Sequence, residues 1–176
     1  MNFGNTLILD AFWLSTQPFP TCLDANSREG RPFYDYYPGH ARYIGWMDLC
    51  LLKEIIKKHH INHIILQNLN TMGKISNIIG RTKVCVAYEY NRFHIVHSVS
   101  KKKELVHCKP IYQDVVFGGW DFDDDALKIP ERAQQYMRYL LIHTRVDSIT
   151  CMTSKIKLTA SFDSLGHVQF TYEPNL

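Results

Sequence analysis

The most constraining feature is one continuous stretch from Pro38 to Tyr88. Between Trp46 and His60, apolar residues fall at 46, 47, 49, 51, 52, 55 and 56, and polar ones at 48, 53, 54, 57 and 58. That period predicts an amphipathic helix with one buried face. Two compact apolar runs follow, His63–Leu66 and Lys83–Tyr88, separated by a short insert. Both read as strands buried on two faces, as in a parallel sheet. Loop, helix, buried strand, loop, buried strand is the grammar of an α/β fold.

The flanking segments extend it. Thr6–Trp13 reads as a strand interrupted by Asp10. Asp24–Pro38 reads as a long loop, broken by Gly30, Pro32 and Pro38 and rich in aromatics (Phe33, Tyr34, Tyr36, Tyr37). Long loops of this kind are often functional. Arg92–Val99 is placed to pair back on the preceding strand. Pro130 and Glu131 open a second helix whose apolar face is Ala133, Tyr136, Met137, Leu140 and Leu141. Ile156–Phe162 and His167–Tyr172, joined by Ser164-Leu165-Gly166, predict a terminal β-hairpin. No repeat or linker divides residues 1–176, so one domain is expected.

A net charge of +3 gives no electrostatic case for nucleic acid or an anionic membrane as partner. No apolar run is long enough to span a bilayer. The N-terminus lacks a basic region and a cleavage site for a signal peptide. The five cysteines are odd in number and widely spaced, which fits reduced thiols in a cytoplasmic protein.

Few residues suggest chemistry. His59 and His63 have the four-residue spacing of metal ligands on one helix face, but the helix is expected to end near Ile61-Asn62, where histidines complement the dipole. His107 and Cys108 are adjacent, so on a strand they point apart and make a poor nucleophile–base pair. Asp123, Asp124 and Asp125 lack the ligand spacing of a calcium loop and read as a solvated turn. No G-x-x-x-x-G-K-[ST] or G-x-G-x-x-G motif occurs. Arg42, ahead of a helix start, could hold an anion or could be a plain surface arginine.

Several motifs occur in an order that resembles the C-terminal half of adenylosuccinate synthetase. Pro18-Phe19-Pro20-Thr21 matches that family's Pro-Phe-Pro-Thr. Gly39, Arg42 and Gly45-Trp46-x-Asp48 match T-T-G-R-x-R-R-x-G-W-x-D. Val84-Cys85-Val86-Ala87-Tyr88 matches a C-V-A-Y strand, and Pro110, Tyr112 and Gly119-Trp120 match P-x-Y-E-x-x-P-G-W. Ile129-Pro130, Ala133 and Tyr136 match L-P-x-x-A-x-x-Y. The resemblance covers residues 8 to 158. It implies a partial adenylosuccinate-synthetase-like sheet, related to phosphate-loop folds, with flanking helices and an added C-terminal β-hairpin.

That family joins IMP to aspartate using GTP and magnesium. Its phosphate loop, catalytic base and catalytic acid lie in the N-terminal half, which the resemblance does not reach. The binding residues that do align are altered. The aspartate loop reads Tyr37-Pro38-Gly39-His40-Ala41-Arg42, keeping one arginine of two. The guanine-reading T-K-x-D becomes Gln67-Asn68-Leu69-Asn70, so an asparagine replaces the anionic acceptor. Strong guanine selectivity is therefore not expected. The late S-T-G-P becomes Met152-Thr153-Ser154-Lys155. The resemblance thus implies an aspartate- or phosphate-binding loop at Gly39, His40 and Arg42. It also implies an altered base pocket at Asn68, Asn70, Thr153 and Ser154, with no catalytic residue and no metal site.

The expectation that follows is a truncated homologue without independent ligase activity. It would bind a purine nucleotide, or associate with itself or with an adenylosuccinate-synthetase-like chain. The terminal hairpin or self-association would then cover sheet surface left open. A second reading is one part of a split ligase, for which magnesium and GTP or ATP would be the cofactors. A third is an interaction protein modulating a host pathway, with Phe33–Tyr37 and Lys101–Lys103 as contact points.

Overall fold

The computed structural model describes residues 4–37, 43–90, 94–97 and 108–176. In chain order the elements are β1 (Asn5–Asp10), β2 (Trp13–Ser15), α1 (Arg31–Tyr36), β3 (Tyr43–Gly45), β4 (Met47–Asp48), α2 (Leu49–His59), β5 (Ile61–Gln67), α3 (Leu69–Ile79), β6 (Arg81–Tyr90), β7 (His94–Val96), β8 (Lys109–Phe117), α4 (Glu131–Thr144), β9 (Ser148–Met152), β10 (Ile156–Phe162) and β11 (Val168–Pro174).

The main sheet has the order β1-β5-β9-β10-β11. Its first three strands are parallel and its last two join antiparallel. Helices α2 and α4 pack on one face, where Ile64, Leu66, Ile149, Leu158 and Ala160 are fully buried or nearly so. The amphipathic period of α2 is realised, but the helix begins three residues later than its apolar pattern. Asp48 caps it by accepting from the Leu51 N–H at 3.1 Å. Trp46 and Met47 precede that cap and are buried from strand or loop positions instead. Lys57, Lys58 and His59 fill the last turn, and the two lysines are opposite in charge to the helix's carbonyl end. In α4 all five predicted apolar residues are buried.

A second sheet departs from the sequence expectation. Strand β6 does not lie in the main parallel sheet. It pairs parallel with short β4 and antiparallel with β7 and β8. Its apolar run is buried because α2 and α3 also pack against it. Beneath it lies a polar cluster. The Tyr88 hydroxyl donates to the buried Asp48 carboxylate. Burial pushes the Asp48 carboxyl above its ordinary range, against hydrogen bonds from Tyr88 and the helix amides. The Cys85 thiol is pushed up by its hydrogen bond with Cys50 and by burial. Cys50 and Cys85 are both free and buried.

Two more segments differ from expectation. The short insert after β5 is helix α3. Its Leu69, Met72 and Ile75 are buried, and Gly80 closes it with φ 91°. Gly73 is required there: a Cβ would lie 2.3 Å from Trp120, whose indole N–H donates to the Leu69 carbonyl at 2.7 Å. The aromatic loop before Pro38 contains α1, and Phe33 is core, edge-on to Trp46 at 4.9 Å. Tyr34 donates to the Leu23 carbonyl. Phe33 is thus spent on the core and Tyr34 and Tyr37 are half-buried, while Tyr36 stays exposed.

The terminal hairpin forms as predicted, with Phe162 opposite Val168. It does not cover the open face of the sheet. It extends the sheet edgewise from β9 and is tied to α4 through Tyr172, whose hydroxyl contacts the Ile129 amide and Gln134 at 3.1 Å.

Candidate functional site

Parallel strands end where helices begin, and a crevice opens outside their carboxyl ends. Here β5 and β9 end side by side, at Gln67 and Met152. A cavity of about 420 Å³ opens beyond them, in the range of small-molecule sites. Its walls include Ile65, Leu69, Phe122 and Met152, and its polar groups come from Gln67, Asn68, Asn70, Asp124 and Thr153. No lysine or arginine lines it among the described residues.

Each polar group is placed by a local cause. Asn68 takes the left-handed conformation at φ 55°, which asparagine tolerates better than most residues, and so turns the chain from β5 into α3. Its Nδ2 donates to Asp10 Oδ1 at 2.5 Å, joining the ends of β1 and β5. Asn70, in the first turn of α3, makes no side-chain hydrogen bond to any described residue. Thr153 lines the cavity, but its hydroxyl is occupied. It donates to the Ala126 carbonyl at 3.0 Å and accepts from the Lys155 and Ile156 amides. Ser154 is not in the lining. Its amide and hydroxyl both donate to the Asp124 carbonyl, at 2.6 and 2.9 Å.

The structure thus brings Asn68, Asn70 and Thr153 to one cavity and makes Ser154 a clamp on its rim. Sequence reasoning missed Phe122 and Asp124, having treated the acidic turn as solvated. Asp124 is indeed exposed, but Ser154 fastens its backbone to the crevice mouth. Nothing local in Asp121–Asp125 signals that attachment. Gly39, His40 and Arg42 lie outside the described residues, as do His107 and Lys101–Lys103. His59 ends α2 whereas His63 is in β5, so the two do not share a helix face. No group of three metal-ligating side chains occurs among the described residues.

The sequence model of adenylosuccinate synthetase matches residues 16–155. This chain belongs to the adenylosuccinate synthetase family. The adenylosuccinate synthetase of Thermoanaerobacter sp. (strain X514) is 33% identical over 129 residues, covering 69% of this chain and 29% of that protein. That of Lactiplantibacillus plantarum is 34% identical over 131 residues, covering 70% and 29%. That of Acetivibrio thermocellus is 30% identical over 151 residues, covering 80% and 32%. The chain therefore spans about three-tenths of the length of these adenylosuccinate synthetases. Among solved structures, the fully ligated adenylosuccinate synthetase from Plasmodium falciparum superposes with a TM-score of 0.66 at 18% identity, covering 82% of this chain and 37% of that one. At that identity the likeness shows the fold: a mixed α/β sheet with flanking helices. No helix among the described residues is long and apolar enough to cross a membrane.

Proposed function

We propose that this chain acts by binding the base end of a purine nucleotide in the crevice beyond β5 and β9, without ligase activity of its own. The observation that carries this is a pair of residues lining one cavity, Asn70 and Asp124, whose amide and carboxylate make no hydrogen bond to any described residue. An amide offers one donor and one acceptor, and a carboxylate accepts from ring or exocyclic N–H groups. Phe122, Leu69 and Met152 supply an apolar wall for a flat ring. With no lysine or arginine in the lining among the described residues, the phosphates would project outward. Gly39, His40 and especially Arg42 are the residues proposed to meet an anionic group. The 176 residues contain no phosphate-loop motif, which supports binding in place of phosphoryl transfer. A cytoplasmic location fits this reading.

Calorimetry with IMP, AMP, GMP, ATP and GTP, with and without magnesium, tests it. At least one purine nucleotide should bind, and Asn70→Ala should weaken it roughly tenfold, the loss of one good hydrogen-bonding group. Arg42→Ala should weaken nucleotides more than nucleosides. Absence of any purine binding, or indifference to Asn70→Ala and Asp124→Asn, would overturn the reading.

A second reading is one half of a split ligase. It is favoured by the outer edge of β1 and one face of the main sheet, which no strand or helix among the described residues covers and where another polypeptide could add layers. Magnesium- and GTP-dependent joining of IMP and aspartate, appearing only when a phosphate-loop-bearing chain is added, would establish it. Failure of every such mixture would remove it.

A further inference from the structure

The terminal hairpin makes a second concavity, away from the crevice. A groove of about 410 Å³ lies between the outer face of α4 and the β10–β11 turn, and β10 and β11 lie beyond the family-matched residues 16–155. Its apolar lining is Ile142, Phe162 and Val168, its cationic lining is Arg138 and Arg145, and His167 adds a polar ring. Phe162 and Val168 are a cross-strand pair facing α4, so the floor is built by the hairpin register itself.

The two arginines carry the case. Seven residues apart, Arg138 within α4 and Arg145 at its C-cap, they are rooted about 10 Å apart along the helix axis. Neither has a carboxylate within ion-pairing distance among the described residues. The nearby acid, Asp163, is committed to its own turn. It accepts from the Leu165 and His167 amides at 2.8 and 2.9 Å, and lies 3.7 Å from His167 Nδ1. Arg138 is already held in place, its guanidinium 5.4 Å from the Phe170 ring centre. Arg145 occupies the helix C-cap at φ 59°, a left-handed conformation where glycine or asparagine is the unstrained choice. An arginine there accepts strain and delivers a guanidinium to the groove.

We infer that this groove is a docking site for an acidic peptide segment of a partner protein, with two carboxylates flanking an apolar side chain. Charge complementarity selects the acids, and the Phe162–Val168 floor selects the apolar residue between them. In an extended segment, residues at positions one, three and five share a face, and the outer two stand about 13 Å apart. Flexible arginine arms rooted about 10 Å apart reach that spacing. This docking is independent of the nucleotide reading of the crevice.

Fluorescence anisotropy of the full chain with a labelled Glu-Ser-Ile-Ser-Glu peptide tests it, with Lys-Ser-Ile-Ser-Lys and Glu-Ser-Ser-Ser-Glu as controls. The first peptide should bind, weaken with added salt, and exceed both controls. Arg138→Gln and Arg145→Gln should each weaken it roughly tenfold. The double variant Arg138→Glu/Arg145→Glu should invert the preference toward the lysine peptide. Arg145→Gly should melt at a higher temperature while losing affinity, because it relieves the cap strain and removes the cation. No binding, equal binding of the acidic and basic peptides, equal binding of the peptide without isoleucine, or a complex indifferent to all four arginine variants would overturn the proposal. Displacement of the peptide by Asn70→Ala, with the arginine variants silent, would place binding in the crevice and overturn it too.

Discussion

The two faces of the main sheet are built from the same strands and could hardly differ more. On one, Ile64, Leu66, Ile149, Leu158 and Ala160 meet α2 and α4 in a dry core. On the other, reached by moving one residue along each strand, His63 contacts Ser148 and Thr150, and Thr150 contacts Thr159 at 3.0 Å. Lys157 and Glu173 pair at 3.2 Å on the neighbouring strands. No described helix lies over this second face. Parallel strands are ordinarily covered on both sides. Here the open side carries cross-strand hydroxyl, imidazole and ion-pair contacts, so its polar groups are satisfied within the sheet. Scattered apolar side chains remain, with Ile8 60% and Met152 44% exposed. The lesson is that stability should be lodged on one face and tolerance on the other.

The largest effect should come from the covered face. Leu158→Ala should destabilise the fold by roughly 2–5 kcal/mol, the usual range for a buried leucine, measured by denaturant unfolding. A loss below about 1 kcal/mol would mean that the helix layer is loosely packed. On the open face, Thr150→Val keeps the volume but removes the hydroxyl shared by His63 and Thr159, and a loss near 1 kcal/mol is expected. A gain would show that the network is dispensable.

His63 sharpens the comparison through pH. Burial, aided by repulsion from Lys157, holds its imidazole below the ordinary value of 6.5. The unfolded chain then takes up the proton more readily than the folded one. The stability from this group is complete above about pH 6.5 and is lost as pH falls through the folded-state value. His63→Gln should flatten that acid limb slightly, leaving the part due to His143, which is shifted in the same direction. An unchanged melting profile between pH 7 and pH 5 would remove His63 from the account. Smallest of all, Ile8→Lys on the open face should change stability by less than about 0.5 kcal/mol. A large loss, or a change in oligomeric state on gel filtration, would show that something covers that face in solution.

Much of this was legible in the sequence. The period of Trp46–His60 marked α2, the alternation of Ile156–Phe162 and His167–Tyr172 marked the hairpin, and ordered motifs marked the family. Helix α3 was less visible. Its apolar stripe is interrupted by Gly73, which local propensity penalises and which Trp120 requires. The assignment of β6 to a separate sheet could not be read, because an apolar run is the same whether its neighbours are parallel or antiparallel. Nor could the role of the Phe33 region, since an aromatic loop that folds into a core has the composition of one that binds a partner.

At the candidate site, the family resemblance nominated Asn68, Asn70 and Thr153, and the topology brings the strand ends that carry them together. The resemblance did not reveal that Asn68 is tied to Asp10, that the Thr153 hydroxyl is spent on its own turn, or that Asp124 stands at the rim. The sequence by itself determined the periodicities, the turns and the kinship, which are local or cumulative along the chain. Tertiary structure alone decided which polar groups remain uncommitted, because a hydrogen-bonding group is available only when every neighbour brought from elsewhere in the chain has been accounted for.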